Sequence, residues 1–142
     1  MGKLNITLTG APRTKKNSQR IIRIGRGSRI LPSEAYLDYA KECEAQLLVQ
    51  RAVNAGIDYP VNVCCVYFMP TRRKVDLVNL LEATCDILKE NFVVLDDCAS
   101  IVAGHDGSRV EYDKLNPRVE IEITRIEEPA NDPETTGGKR AS

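Results

Sequence analysis

The sequence of 142 residues contains no tryptophan, only two phenylalanines and a single histidine, His105. So few aromatic rings argue against recognition of single-stranded nucleic acid by base stacking. Zinc sites are built mainly from cysteine and histidine. A lone histidine and five cysteines without a CxxC pair therefore argue against a zinc site. The odd number of cysteines instead predicts buried, reduced thiols.

The chain also lacks an apolar run of membrane-spanning length. The longest apolar stretch, residues 63–69, is too short to cross a bilayer and predicts a buried strand. The N-terminus has no apolar region of the secretory type, so we expect a cytoplasmic protein with no membrane partner. The length suits one domain, predicted over residues 1–126. Residues 127–142, rich in Pro, Gly and Thr, predict a disordered tail.

Acidic residues are missing from the first 33 positions, although the net charge of the whole chain is zero. Lysine and arginine occur there eight times: Lys3, Arg13, Lys15, Lys16, Arg20, Arg23, Arg26 and Arg29. This charge bias predicts a localised anionic partner, with Lys15, Lys16 and Arg20 as candidate DNA contacts. The alternative is a solvated hairpin whose charge bias has no function.

Hydrophobic periodicity predicts the order of the elements. Strands are predicted at 3–9, in a hairpin at 21–31, and at 61–69, 99–103 and 118–126. One helix is predicted after Ser33, with Gly56 as its stop, and another over residues 77–90. This order predicts an α+β domain with a mixed or antiparallel sheet and two main helices on one face.

Carboxylates lie around the second predicted helix. Asp76 precedes it, Glu82 lies within it, and Asp96 and Asp97 follow it. Mg²⁺ prefers such oxygen ligands and needs few of them when a substrate phosphate completes its shell. Two alternatives stay open, because Asp76 could serve only as the N-cap of the helix and the Asp96–Asp97 pair could only form a turn.

Three consecutive bases, Arg72, Arg73 and Lys74, come just before Asp76. They would lie at the N-terminus of a helix, which itself favours anions, so they are candidate phosphate contacts. The alternative is a solvated loop. Carboxylates beside bases predict a divalent metal held next to a phosphate, which points to phosphodiester chemistry.

The central segment contains three motifs in order: Arg72-Arg73-Lys74-Val75-Asp76-Leu77-Val78-Asn79-Leu80, then Asp86-Ile87-Leu88 and Leu95-Asp96-Asp97. With these motifs, the segment resembles the RusA family of Holliday junction resolvases. The family typically shows Asp-Leu-Asp-Asn-Leu, a Lys and an Asp-Ala-Leu on the next helical turns, and an Asp-Asp pair. Gly10-Ala11-Pro12 and Lys15-Lys16-Asn17-Ser18 also fit the start of the family, and the resemblance covers about residues 4–126.

This resemblance implies a RusA-like fold and a homodimeric endodeoxyribonuclease that depends on Mg²⁺, with Mn²⁺ as the second choice. Such an enzyme makes paired symmetric nicks in four-way DNA junctions during recombination and repair. Asp76 and Asp97 would match the first and last catalytic aspartates of the family, with Asp96 as the adjacent partner of Asp97.

Two positions depart from the family motif. Val78 replaces the second aspartate, and Glu82 replaces the lysine one turn later. Positions 78 and 82 lie on the same face of a helix, so we hypothesise that Glu82 supplies the missing catalytic and metal-binding carboxylate. Lys74 or Arg73 would then supply the lost positive charge. The alternative is a solvated Glu82 in a junction-binding module that is catalytically impaired.

Overall fold

The computed structural model describes residues 3–15, 19–25 and 27–127. Lys16 and nearly all of the predicted tail, residues 128–142, lie outside these ranges. The elements are β1 (Lys3–Thr9), β2 (Gln19–Ile24), β3 (Gly27–Pro32), α1 (Glu34–Val49), β4 (Val61–Met69), α2 (Leu77–Glu90), β5 (Val102–Gly104), β6 (Arg109–Tyr112) and β7 (Arg118–Arg125).

The main sheet has five strands and is mixed, as predicted. β7 lies between β1 and β4 and runs antiparallel to both. β5 and β6 both pair in parallel with β4, β5 near its start and β6 near its end. β2 and β3 form a separate antiparallel hairpin, which confirms the hairpin predicted around residues 21–31.

Alternating side chains of β1, β4 and β7 build one face of the core. Ile6 is opposite Ile121 in register, and Tyr67 is opposite Val119. Both helices add leucines to this same cluster, which confirms that they cover one face of the sheet. The hydroxyl of Tyr67 lies 2.7 Å from that of Thr84 on α2, so this buried polar pair is satisfied where the helix meets the sheet.

Two glutamines of α1 cover the outer edge of β1. The Gln46 amide accepts from the backbone N–H of Thr9 at 2.7 Å and donates to its carbonyl at 3.1 Å. Gln50, one turn later, makes the same pair of bonds with Thr7, at 3.0 and 2.7 Å. Because an open strand edge invites pairing with another chain, these side chains both attach α1 and protect the edge.

The prediction that α1 stops at Gly56 was wrong. The helix ends at Val49, because Arg51 adopts a left-handed backbone with φ of 61°. The next amide, of Ala52, bonds to the Leu47 carbonyl at 2.9 Å and closes the helix end. Gly56 instead serves a later turn, where its amide donates to the Phe92 carbonyl at 2.8 Å.

The strand predicted over residues 99–103 is shorter and later, at Val102–Gly104. β6 was not predicted at all. All four of its residues are exposed, so it lacks the alternation of buried and exposed positions that marks a strand in a sequence.

The five cysteines are all free, and three of them (Cys43, Cys65 and Cys85) are buried as predicted. Burial raises the pKa of the Cys85 thiol to about 12, so it stays protonated at neutral pH. Cys64 is half-buried. Cys98 is exposed, because it lies on the loop after α2 rather than in the core.

Candidate functional site

Asp76 is the N-cap residue of α2. Its backbone is extended, and Oδ1 accepts a hydrogen bond from the amide of Val78 at 2.9 Å. The capping role that the sequence left open is therefore present in the structure. It engages Oδ1, so a metal ligand at this position would use Oδ2 or displace the cap. The side chain lies on the surface, where an incoming phosphate can reach it.

Asp96 and Asp97 follow α2 in the chain. Oδ1 of Asp96 accepts a hydrogen bond from the amide of the next residue, Asp97, at 2.8 Å, and neither residue belongs to a turn, helix or strand. This bond is the main reason why the pKa of Asp96 lies below its usual value. The Lys89 ammonium, in the last turn of α2, is 3.8 Å from Oδ1 of Asp97 and 4.0 Å from that of Asp96.

Asp76 precedes α2 in the chain, and Asp96 and Asp97 follow it. Burial is the main reason why the pKa of the Cys85 thiol, in the middle of α2, is raised, and the charge of Asp97 adds to this shift. Asp97 therefore lies within electrostatic range of the middle of α2, as well as close to Lys89 in its last turn. Within residues 3–15, 19–25 and 27–127, no three His, Cys, Asp or Glu side chains form a group that could hold a metal ion. The donor type suits Mg²⁺, which needs few protein ligands, but the four predicted ligands do not meet in one group.

The three bases before Asp76 line two cavities, and Arg73 lines both of them. The guanidinium of Arg72 stacks on the ring of Tyr112 at 4.2 Å from its centroid, on the β6 side. Arg73 and Lys74 line a cavity of about 480 Å³ between the β4–α2 loop and the segment after β1. Arg13 lines the same cavity. The sequence analysis counted Arg13 among the N-terminal cations but did not select it as a site residue.

A family model described as Endodeoxyribonuclease RusA matches residues 9–124. The chain belongs to the RusA endodeoxyribonuclease family. This membership makes it a nuclease of the class that resolves Holliday junctions and acts on branched DNA, with a general dependence on a divalent metal. A sequence comparison with curated proteins returned no match.

The two departures from the RusA motif both lie on the exposed side of α2. Val78, in place of an aspartate, is 68 % exposed in the first turn of α2. Glu82 is also exposed, and its charge acts on Lys15. Glu82, Asp86 and Glu90 follow each other at intervals of four residues and therefore form an acidic stripe along α2. The position that holds a lysine in the RusA motif thus carries a carboxylate, and Lys15 approaches it from another segment.

Lys15 is held by the aspartate of the Asp86-Ile87-Leu88 part of the RusA motif. Its ammonium lies 2.8 Å from Oδ2 of Asp86, and 5.8 Å from the centroid of the Tyr36 ring. The hydrogen bond to Asp86 is the main reason why the pKa of Lys15 is raised. A DNA phosphate at Lys15 would share this ammonium with Asp86. Arg20, the third N-terminal candidate, belongs to β2.

No helix in the described part of this RusA-family chain is long and apolar enough to cross a membrane.

Proposed function

We propose that this chain is a Mg²⁺-dependent endonuclease that resolves four-way DNA junctions by paired symmetric nicks as a homodimer, with Mn²⁺ as an alternative metal. Residues 1–126 would form the single nuclease domain, and the enzyme would act in the cytoplasm. The observation that carries the proposal is the family match over residues 9–124, which contains every carboxylate and every cation of the candidate site.

Four carboxylates would hold the metal: Asp76, Glu82, Asp96 and Asp97. A bound divalent ion would activate water and offset charge on the phosphate. Asp76 and Asp97 are the positions that match catalytic aspartates of the family motif. Lys74, two residues before Asp76, would supply positive charge to the phosphate during hydrolysis.

The DNA backbone would be held by six cations: Lys15, Lys16, Arg20, Arg72, Arg73 and Lys74. Their contacts carry charge rather than sequence information, so the substrate would be recognised by its shape and its phosphates. A four-way junction has two strands to cut at related positions. A two-fold symmetric dimer would present two equivalent sites to it, which is why we propose a homodimer.

A second candidate function is junction binding with impaired cleavage. It is favoured by the exposed Val78, which leaves the first turn of α2 without the second aspartate of the motif. It is also favoured because, in the part of the chain that the structure describes, no three His, Cys, Asp or Glu side chains form a group that could hold a metal ion. Both functions predict salt-sensitive DNA binding, and only the first predicts nicking.

A nicking assay on a synthetic four-way junction, with and without Mg²⁺, separates the two functions. We expect metal-dependent nicks at symmetric positions. Asp76→Asn should retain junction binding and lose nicking. Asp58→Asn, an exposed aspartate outside the site, is the matched control and should behave as the unmodified protein. Binding without nicking under every metal condition would favour the second function.

A further inference from the structure

We propose that the cavity lined by Arg13, Arg73 and Lys74 is a binding site for a backbone phosphate of the DNA, with Arg13 as a phosphate-binding residue. This inference rests on the proposed function, because it assigns the substrate's backbone to a particular place beside Asp76.

The lining of the cavity is strongly basic. Its walls are Ala11, Pro12, Arg13 and Thr14 on one side, and Met69, Pro70, Thr71, Arg73, Lys74 and Val75 on the other. Three of these residues are cations, and among the described residues no acidic side chain lines it. The volume of about 480 Å³ is within the range of ligand-binding pockets, about 300 to 1,000 Å³. Such a cavity attracts an anion that a protein surface of mixed charge would not hold.

Arg13 is presented by a firmly attached segment. Pro12 and Thr14, on either side of it, are buried, whereas Arg13 itself is exposed. Before them, the Gly10 amide donates to the Pro117 carbonyl at 3.0 Å, and after them Lys15 is paired with Asp86. Because the segment is fixed at both ends, Arg13 can bind a phosphate without the cost of ordering a loop.

The cavity ends at the site that the family motif identifies. Lys74 and Val75 form part of its wall, and Asp76 is the next residue. A phosphate bound there would lie close to the N-terminus of α2, where the helix dipole also favours negative charge. The cavity would therefore hold the strand near the carboxylate, and Arg13 would contribute to binding more than to the bond-breaking step.

A second cavity of the same size offers an internal comparison. It lies between α1 and α2, has a volume of about 460 Å³ and is lined by Glu34, Asp38, Glu44 and Glu90, with Lys41 as its one cation among the described lining residues. Phosphate should avoid it. Lys41 is thus a matched control, a cation at a cavity of the opposite charge.

The test is the salt dependence of junction binding, measured for Arg13→Gln, Arg13→Lys and Lys41→Gln in the full chain. Loss of one phosphate contact should lower the slope of log affinity against log salt by about 0.9. We expect this change, with several-fold weaker binding, in Arg13→Gln. Arg13→Lys should keep most of the slope, and Lys41→Gln all of it.

Nicking at saturating junction should change little in Arg13→Gln, whereas the junction concentration for half-maximal rate should rise.

A titration with inorganic phosphate, followed by NMR of the backbone amides, provides a second measurement. Chemical-shift changes near residues 11–14 and 70–75 that disappear in Arg13→Gln would show that the cavity binds free phosphate as well as DNA. If the protein binds junction DNA but shows no such changes with inorganic phosphate, the site is specific for the phosphodiester of the DNA backbone. An unchanged slope in a folded Arg13→Gln protein overturns the inference. If the unmodified protein fails to bind junctions, the proposed function fails, and phosphate shifts at this cavity would still support the site.

Discussion

Asp86 holds Lys15 through an ion pair of 2.8 Å, at a distance of 71 residues along the chain. The pair is partly exposed, with 32 % of the lysine side chain and 22 % of the aspartate side chain accessible to solvent. An aspartate from the motif that resembles the RusA family therefore attaches the segment after β1 to α2. Through this contact, the helix that begins at the proposed metal ligand Asp76 also positions the basic segment that carries Arg13.

Replacing Asp86 by asparagine should lower the free energy of unfolding by up to about 1 kcal/mol, because a partly exposed ion pair contributes little. The pKa of Lys15 is raised above its usual 10.5, so this stabilisation is complete below that pH and is lost as the pH rises through the raised value. The difference between Asp86→Asn and the unmodified protein should therefore be constant near neutral pH and shrink in strong alkali. Denaturant unfolding over a pH series measures it.

Asp58→Asn removes an exposed carboxylate elsewhere and should show no such pH dependence. A stability difference in Asp86→Asn that grows with alkaline pH would contradict the assignment of Lys15 as its partner.

Elements with a strong periodic pattern were predicted well from the sequence. The end of α1 and the exposed strand β6 were not. β4 and α2 were placed at their observed limits, because alternating or helically spaced apolar residues record burial directly. The end of α1 depends on a left-handed Arg51, a conformation that no local residue signals. β6 is fixed only by pairing with a distant strand, and its exposed residues leave no pattern.

The same distinction applies to the site. The motif identified Asp76, Asp96 and Asp97 in order, but order along the chain does not show whether three ligands meet, and among the described residues no such group forms. The stacking of Arg72 on Tyr112 and the capture of Lys15 by Asp86 are contacts between distant segments. The position of Arg13 beside Arg73 likewise results from the packing of two loops, which is why the sequence alone did not select it.

Restoring the missing aspartate should strengthen metal-dependent nicking. Val78 is exposed and packs little, so Val78→Asp should cost little stability, and an acid in the first turn of a helix is favourable by about 0.3 to 1 kcal/mol. We expect nicking at subsaturating Mg²⁺ to rise about tenfold, which corresponds to about 1.4 kcal/mol. Initial rates on a four-way junction over a Mg²⁺ series measure the effect.

Val78→Asn is the control for Val78→Asp, because asparagine has nearly the shape of aspartate but carries no charge. It should leave the Mg²⁺ dependence of nicking unchanged. Equal rates for Val78→Asp and Val78→Asn would mean that this position does not reach the metal.

Removing the charge of Glu82 tests whether it replaces the missing ligand. If Glu82 binds the metal, Glu82→Gln should reduce Mg²⁺-dependent nicking at least about tenfold and raise the Mg²⁺ concentration needed. Glu90→Gln removes a charge from the same acidic stripe, two turns later, and should retain activity. Activity like that of the unmodified protein in Glu82→Gln would sink the hypothesis and leave Glu82 as a solvated neighbour of Lys15.

If Asp96 and Asp97 bind a divalent metal as proposed, Lys89 would compete with that metal for them. Its ammonium lies within 4.0 Å of both carboxylates. A metal ion bound by these carboxylates would lie in the same region. A unit charge at about 4 Å contributes about 1 kcal/mol in a water-like environment, and all these groups are substantially exposed. Lys89→Gln should therefore raise the affinity for Mn²⁺ or Mg²⁺ by about fivefold, measured by calorimetry without DNA.

Lys89→Arg, which keeps the charge, should leave the affinity unchanged, as should Lys114→Gln, a change of an exposed lysine outside the site. Equal metal affinity in Lys89→Gln and the unmodified protein would mean that the metal is not held by Asp96 and Asp97.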